Sequence, residues 1–316
     1  MLDLMSKINE EVYKEVVEGL SLPKKQLPSK LFYDEKGSAL FDKICRLEEY
    51  YPTRTELMLM KDNIEDIIAT LGEDINFVEF GSGSSLKTRL LLSNMDKIST
   101  YVPIDISDEH LFKTAESLNT RYPGLKILPV AADYTKPFEL PEEVKSKKNI
   151  IAYFPGSTIG NFTKDQAREF VIGAASVVGR EGGFLLGTDM QKDIKVLEAA
   201  YNDSKGITAE FNLNILEHLN REFDFNFDIS AYEHQAIYNS VHGRIEMYLE
   251  SKIKQDVKSG DFAFTLEKNE RILTEYSHKY TVEIVRELVS GYFEVEKFWT
   301  DENEYFGLFF LKPLSK

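Results

Sequence analysis

Cysteine is almost absent from this sequence: Cys45 is the only one among 316 residues, and histidines number five. A single cysteine cannot form an intramolecular disulfide, and the histidines show no spacing typical of metal ligands. We therefore expect no metal site. Because the chain cannot form a disulfide framework, we expect a reducing, cytoplasmic compartment.

Long apolar runs are also missing, because no stretch approaches the ~18 residues that a membrane-spanning helix needs. The first twenty residues mix charged and apolar side chains at helical spacing, unlike the continuous apolar core of a signal peptide. Lysine and arginine total 38 against 53 acidic residues, and the net charge of -15 repels phosphate backbones and anionic lipid. We expect a monomer that acts on a small molecule, with neither nucleic acid nor membrane as a partner.

Short apolar runs alternate with helical patterns from residue 75 onward, which predicts βαβ units and a parallel sheet. The predicted strands are INFVEF, YVPIDIS, KILPVAAD, NIIAYFPGS and GGFLLGTD, and the helical patterns lie near 85–95, 108–121 and 163–178. Residues 193–223 then favour helices and residues 231–280 favour strands, before a helix at 281–291 and a strand at 304–312 complete the sheet. We predict an α/β sheet domain from residues 59–191 and 281–316, and a discontinuous α+β domain from residues 1–58 and 192–280.

Two glycines, Gly81 and Gly83, follow the first predicted strand and open the next helix. Glycine there lets a ligand approach backbone N–H groups closely, although a tight turn without any ligand explains the pattern equally well. Leu86 occupies the place of the third glycine of a dinucleotide fingerprint, so a pyrophosphate would find little clearance. The turn favours a cofactor without pyrophosphate.

Polar and aromatic side chains follow the next two strands. The carboxylate of Asp105 can accept from both hydroxyls of a ribose, while Asp133 and Tyr134 suit an adenine through its exocyclic amine and its ring face. Lys87, one turn into the first helix, could meet a cofactor carboxylate, with an ordinary surface lysine as the alternative. Together these residues predict an adenosyl site.

Longer motifs resemble one enzyme family and follow its order over nearly the whole chain. They are LPSKLFYDEKGSALFDKICRLEEYYPTRTE, VEFGSGSSLKTRLLL, FPGSTIGNF, LLGTDMQKD, AYNDSKGITAEFNLNILEHLNRE, RIEMYL, LTEYSHKY and FWTDENEYFGLFF. They resemble the histidine-specific Nα-methyltransferases of ergothioneine biosynthesis. The resemblance implies a Rossmann-like class I methyltransferase sheet with a second, substrate-binding domain. It also implies S-adenosylmethionine (SAM) as cofactor, and Nα-methylation of free L-histidine as far as the trimethylated betaine hercynine.

The resemblance also implies roles for individual residues. Cofactor contacts fall on Gly81, Lys87, Asp105, Asp133 and Tyr134, and amino-acid contacts fall on Tyr50, Gly156, Asn161, Tyr201, Glu275, Tyr276 and Ser277. Tyr33 and Asn161 are implied at the reacting amine, and Tyr33 and Phe41 among the aromatic residues that line the pocket. Glu275 and Ser277 are two positions apart in an apparently extended segment, so their side chains share a face and could meet both nitrogens of an imidazole.

Other interpretations remain open at this point. Asn161 could cap the helix that follows it, Tyr50 could be an ordinary half-buried aromatic, and Glu275 with Ser277 could be a surface pair. The same chemistry could act on tryptophan, tyrosine or a modified histidine, a choice that the pocket around Met247 and Tyr248 would decide. An NAD-linked enzyme is disfavoured by Leu86, and a non-catalytic SAM sensor would not need the amine-holding residues.

Overall fold

The computed structural model describes residues 2–82, 86–94, 98–106 and 108–314, so Gly83 lies outside the described residues. The chain forms two compact units, each built from two stretches. The first unit comprises Met1–Tyr51 and Asp193–Ser277, and the second unit comprises Pro52–Lys192 and His278–Lys316.

Helices and strands alternate most regularly in the second unit. The first unit begins with α1 (Leu2–Ser21) and α2 (Glu35–Ile44). The second unit follows with α3 (Pro52–Asp62), α4 (Ile64–Leu71), β1 (Ile75–Phe80), α5 (Leu86–Asn94), β2 (Ile98–Asp105), α6 (Asp108–Arg121), β3 (Lys126–Ile127), β4 (Val130–Ala131), α7 (Glu142–Lys145), β5 (Ile150–Phe154), α8 (Lys164–Val178) and β6 (Gly183–Asp189). The first unit resumes with α9 (Ile194–Tyr201), α10 (Ile207–Phe223), β7 (Tyr232–Asn239), β8 (Arg244–Ser251), β9 (Gln255–Ser259), β10 (Phe262–Leu266) and β11 (Arg271–His278). The second unit closes with α11 (Val282–Val289), β12 (Phe293–Thr300) and β13 (Phe306–Pro313).

The sheet of the second unit has the strand order β12-β13-β6-β5-β1-β2-β3, with β4 also paired to β2. The central pairs β2·β1, β1·β5 and β5·β6 are parallel, which confirms the Rossmann-like α/β sheet. β1, β5 and β6 are buried along their whole length, as strands covered by helices on both faces must be.

Two details of the sheet differ from the sequence-based expectation. β12 was not predicted. It forms a hairpin with β13 through a short connection, so the two strands are antiparallel, and β13 is also antiparallel to its other neighbour, β6. The expected third strand, KILPVAAD, is divided into β3 and β4, which both pair with β2. Pro129 lies between them and has no N–H to donate to a continuous ladder.

The first unit contains a three-stranded sheet of order β11-β8-β7, a two-stranded sheet of β9 and β10, and the helices named above. α10 packs against α2 and β7, and Phe211 of α10 stacks on Phe32 with ring centroids 4.5 Å apart. Within the described part of the chain, no helix combines the length and the apolar character that crossing a bilayer requires.

Candidate functional site

The glycine turn after β1 lies against one of the predicted cofactor residues. Gly81 has a φ of +72°, and its N–H donates to the carbonyl of Ile104, at 2.8 Å. A side chain at Gly81 would place its Cβ 3.6 Å from the hydroxyl of Tyr134. The structure therefore brings Gly81 and Tyr134 together at the carboxyl end of the central strands, where parallel α/β sheets bind ligands.

The two predicted carboxylates also lie at this edge of the sheet. Asp105 is the last residue of β2 and pairs in register with Ala131 of β4, just before Asp133. Burial raises the pKa of Tyr134 above its ordinary value, and the charges of Asp105 and Asp133 act in the same direction. The two carboxylates are therefore close enough to Tyr134 to influence it.

Asp133 also makes local hydrogen bonds. Its Oδ1 accepts from the backbone N–H and the hydroxyl of Thr135, at 3.0 and 2.5 Å. These bonds stabilise a polar turn, so part of the role of Asp133 is structural. This edge of the sheet thus offers carboxylate acceptors and an aromatic ring beside a glycine that has no side chain.

Lys87 is held by a residue that the sequence analysis did not single out. Its ammonium forms an ion pair with Glu56 of α3, whose side chain is completely buried. The Gly156 N–H donates to both oxygens of Glu56, at 2.9 and 3.1 Å, and the Tyr153 hydroxyl donates to one of them at 3.2 Å. Glu56 thus joins Lys87 and Gly156, which were predicted to serve different ligands. The signal in the sequence was the final residue of EYYPTRTE.

Glu79 is a second buried carboxylate that sequence reasoning missed. It accepts hydrogen bonds from the hydroxyls of Thr88, at 2.5 Å, and Tyr101. Burial raises its pKa to about 7, and these two donors oppose the shift only in part. Its signal was an acidic residue within a mostly apolar strand, INFVEF.

Asn161 ends a short 3-10 helix, Thr158–Asn161, that is held at several points. The hydroxyl of Ser157, whose φ is +59°, accepts from the Asp189 N–H at 2.8 Å. Nδ1 of His278 donates to the Gly160 carbonyl at 2.9 Å. A Cβ on Gly160 would come 2.9 Å from the backbone carbonyl oxygen of His278, so only glycine allows this approach. The loop that carries Asn161 is therefore rigidly supported.

The helix after this loop is capped by Thr163, not by Asn161. The Thr163 hydroxyl accepts from the Gln166 N–H at 3.3 Å, and the Gln166 side chain accepts from the Thr163 N–H at 2.9 Å. This reciprocal pair is a capping box. The interpretation of Asn161 as an N-cap is wrong, because Thr163 takes that place.

Asp189, at the end of β6, lies in a buried cluster with two lysines. Although burial alone would raise its pKa, the ammonium groups of Lys279, at 2.8 Å, and Lys192 hold the pKa of Asp189 below its ordinary value. Burial in turn lowers the pKa of Lys192 to about 8. These charges were not predicted to meet, because Lys279 is distant in sequence. In the described ranges, no group of three or more histidine, cysteine or acidic side chains could hold a metal ion.

Four predicted aromatic residues of the first unit form a continuous series of edge-to-face contacts. Ring centroids lie 5.7 Å apart for Tyr33 and Phe41, 6.2 Å for Phe41 and Tyr50, and 6.0 Å for Tyr50 and Tyr201. Burial raises the pKa of Tyr50 well above its ordinary value, with smaller contributions that include Tyr201 and Glu275. The Tyr50 phenol is therefore neutral near pH 7 and acts as a hydrogen-bonding group.

β11 carries the predicted imidazole pair, Glu275 and Ser277, in extended backbone. The Ser277 hydroxyl and the Tyr201 hydroxyl are 2.7 Å apart and share a hydrogen bond. Tyr276, between the pair in sequence, contacts a different group: the guanidinium of Arg244 lies 3.6 Å from the centre of its ring. The first unit therefore brings Ser277 together with the aromatic series, while a substrate contact of Tyr276 stays a prediction.

A half-buried histidine, His234, supports the helix end that carries Tyr201. The Asn212 amide can only donate through Nδ2, and it donates to Nδ1 of His234, at 2.9 Å, and to the Tyr248 carbonyl. Nε2 of His234 therefore carries the proton and donates to the backbone carbonyl of Tyr201, at 2.8 Å. Burial lowers the pKa of His234, which is consistent with this neutral form.

Comparison with known proteins gives strong matches over nearly the full length of the chain. A family model described as a SAM-dependent, histidine-specific methyltransferase matches residues 12–313. The histidine N-alpha-methyltransferase of Mycolicibacterium smegmatis is 39% identical over 305 residues, which are 95% of this chain and 94% of that protein. The enzyme of the same name from Mycobacterium tuberculosis is 38% identical over 93% of this chain and 92% of its own length. The ergothioneine biosynthesis protein 1 of Schizosaccharomyces pombe is 31% identical over 85% of this chain and 36% of that longer protein.

Proposed function

Because the chain belongs to the family of SAM-dependent, histidine-specific methyltransferases, we propose that it methylates the α-amine of free L-histidine. The observation that carries this substrate is the arrangement on β11. There the Ser277 hydroxyl is hydrogen-bonded to Tyr201, and Glu275 lies two positions away on the same strand. A carboxylate and a hydroxyl side by side offer an acceptor for an imidazole N–H and a donor for the bare ring nitrogen.

The enzyme uses SAM, and we assign its binding to the second unit. Asp105 would hold the ribose, Asp133 and Tyr134 would hold the adenine, and Gly81 would leave room for the cofactor backbone. Lys87 would meet the carboxylate of the methionine half. SAM supplies an electrophilic methyl group on a positively charged sulfur, a charge that favours the neutral form of a nearby amine.

The amino-acid end of the substrate would be held by neutral groups. We assign this role to Tyr50, Tyr201, Asn161 and Gly156, with Tyr33 and Asn161 nearest the reacting amine. Hydroxyl and amide groups are neutral hydrogen-bonding groups, so they can orient the amine without competing with its lone pair for the methyl group. The positive charge of the cofactor sulfur favours loss of the amine proton to water, so this scheme assigns no residue as a general base. Holding the reacting atoms in line can then supply about 7–11 kcal/mol toward lowering the barrier to methyl transfer.

The aromatic series of the first unit supports repeated methylation. A trimethylammonium group carries a fixed charge without an N–H donor, so it is stabilised by aromatic faces more than by a carboxylate. Tyr33, Phe41 and Tyr50 lie in contact and could offer such faces. We propose that the product is the trimethylated betaine, made by a monomer in a reducing, cytoplasmic compartment.

The substrate assignment can be tested through specificity. Wild-type protein and Glu275→Ala are compared for catalytic efficiency with histidine and with tryptophan, using labelled SAM and mass spectrometry of the products. Loss of the acceptor for the imidazole N–H should lower the histidine-to-tryptophan ratio about ten-fold or more, because a hydrogen bond to a charged group contributes roughly 1.5–3 kcal/mol. A ratio that does not move, or a wild type that prefers tryptophan, would refute the assignment.

A further inference from the structure

Glu56 is the most completely enclosed charged group in contact with the predicted cofactor residues. Its side chain has no exposed surface, and its partners are the Lys87 ammonium, the Gly156 N–H and the Tyr153 hydroxyl. A buried carboxylate is tolerated only when it is paired and hydrogen-bonded, since an isolated ion loses its hydration. All three contacts use donors, and together they define the position of both carboxylate oxygens.

The consequences for Lys87 follow from the number of its donors. An ammonium has three N–H groups. The bond to Glu56 fixes the direction of one of them and so restricts the directions in which the other two can donate. A Cβ built on Gly156 would lie 3.5 Å from Nζ of Lys87, so the absent side chain of Gly156 leaves space directly beside that ammonium. Glu56 accepts from Gly156 itself and so holds this space open.

We propose that Glu56 is a positioning residue for the amino-acid end of the cofactor. It holds the Lys87 ammonium and the Gly156 turn in the arrangement that receives a carboxylate. The inference rests on the proposed role of Lys87 as the partner of the cofactor carboxylate. Glu56 itself need not touch the cofactor, because it acts through the two groups it fixes.

Glutamine cannot replace glutamate in this arrangement. If the amide oxygen accepts from Gly156 and Tyr153, the amide NH₂ faces the Lys87 ammonium, and two donors oppose one another. If the amide is turned over, its NH₂ faces the Gly156 N–H instead. Glu56→Gln therefore keeps the volume of the side chain while releasing Lys87, the Gly156 turn, or both.

A pair of ligands isolates the effect without requiring turnover. S-adenosylhomocysteine carries the amino-acid end with its carboxylate, whereas 5′-methylthioadenosine shares the adenosine and thioether but lacks that end. The ratio of their dissociation constants, measured by calorimetry, reports on contacts to the amino-acid end. In Glu56→Gln we expect the preference for S-adenosylhomocysteine to fall about ten-fold or more, while 5′-methylthioadenosine binds nearly as in wild type.

A purely structural role would give a different result. If Glu56 only supported the fold, both ligands would weaken together and the ratio would stay constant, which would overturn the proposal. A tighter binding of S-adenosylhomocysteine by Glu56→Gln would also overturn it. Tyr153→Phe is the matched control, because it removes one hydrogen bond to Glu56 but leaves the Lys87 and Gly156 contacts, so its ratio should match wild type.

Lys87→Met separates this proposal from the one on which it rests. If Lys87→Met leaves the ratio unchanged, the assignment of Lys87 to the cofactor carboxylate is wrong. If Lys87→Met lowers the ratio and Glu56→Gln does not, only the role of Glu56 is wrong. In the double variant, Glu56→Gln should add a smaller loss than it causes alone, since Lys87, one of the two groups that it positions, has already been removed.

A second variant keeps the test decisive if Glu56→Gln does not fold. Gly187 lies behind the carboxylate, and a Cβ there would come 2.6 Å from Oε1 of Glu56 and 3.1 Å from the ring of Phe306. Gly187→Ala therefore displaces Glu56 without removing its charge. We expect the same fall in the ligand ratio, and an unchanged ratio in folded Gly187→Ala would contradict the proposal.

Discussion

Glu56, Glu79 and Asp189 are buried carboxylates of the second unit, and their partners give each a different character. Asp189 is matched by two lysines, which lower its pKa, and Glu56 is matched by one lysine and a backbone N–H. Glu79 has two hydroxyl donors, and burial raises its pKa to about 7. Glu79 is therefore a buried carboxylate whose charge changes near neutral pH.

This shift predicts a pH-dependent stability. Because the pKa of Glu79 is about 7 in the folded chain and about 4.5 when unfolded, its contribution is fully present below about pH 4.5 and is lost as the pH rises through 7. Between about pH 5 and 8 the wild type should lose roughly 2–4 kcal/mol relative to Glu79→Gln, which cannot ionise. Urea unfolding of both proteins at the two pH values measures this difference. Stability curves that run parallel would contradict the prediction.

The hydroxyl pair Tyr201 and Ser277 predicts coupling between two substrate residues. Because they share a hydrogen bond of 2.7 Å, either Tyr201→Phe or Ser277→Ala removes the same interaction. Their effects on catalytic efficiency with histidine should therefore not add, with a coupling of about 0.5–3 kcal/mol in a double-mutant cycle. Additive losses would mean that the two hydroxyls act on histidine independently of each other.

Among the elements, α8 deserves a test because its start lies next to the loop that carries Asn161. The capping box of Thr163 and Gln166 satisfies N–H groups at the helix start. Thr163→Ala should lower the free energy of unfolding by about 1 kcal/mol, and Thr163→Ser should restore most of it.

The matched comparison for this prediction is Asn161→Ala. Since Asn161 does not cap α8, that variant should keep nearly wild-type stability and instead lose activity with histidine. Thermal or urea unfolding of the three variants decides the matter. A stability loss in Asn161→Ala as large as that in Thr163→Ala would contradict the assignment.

The division into two units gives a prediction for the whole molecule. S-adenosylhomocysteine should stabilise the second unit, and a ligand at 100 times its dissociation constant contributes about 2.7 kcal/mol. Hydrogen exchange should therefore slow around Gly81, Asp105 and Tyr134 when this ligand is added. Further addition of histidine should slow exchange in β11 and at the end of α9. Protection of β11 by S-adenosylhomocysteine alone, with no effect at Gly81, would contradict the assignment of the cofactor to the second unit.

Local patterns were sufficient to predict most of the sheet and the edge at which Gly81, Asp105 and Asp133 lie. β1, β5 and β6 are mostly apolar runs. Gly81, Asp105 and Asp133 lie at or just after strand ends in the sequence itself, so their common edge follows from parallel pairing. The longer motifs carried the family resemblance, and the family of SAM-dependent, histidine-specific methyltransferases is confirmed by the match over residues 12–313.

The interactions that only the tertiary structure decided all join residues distant in sequence. Glu56 meets Gly156, Lys279 meets Asp189, and Tyr201 meets Ser277. Periodicity and turn chemistry report which way a side chain faces within its own element, but they contain no information about which element lies opposite. For the same reason, β12 and its antiparallel pairing with β13 were not predicted, although the alternation of strands and helices was. Alternation is a property of neighbouring residues, whereas strand pairing depends on the folded chain.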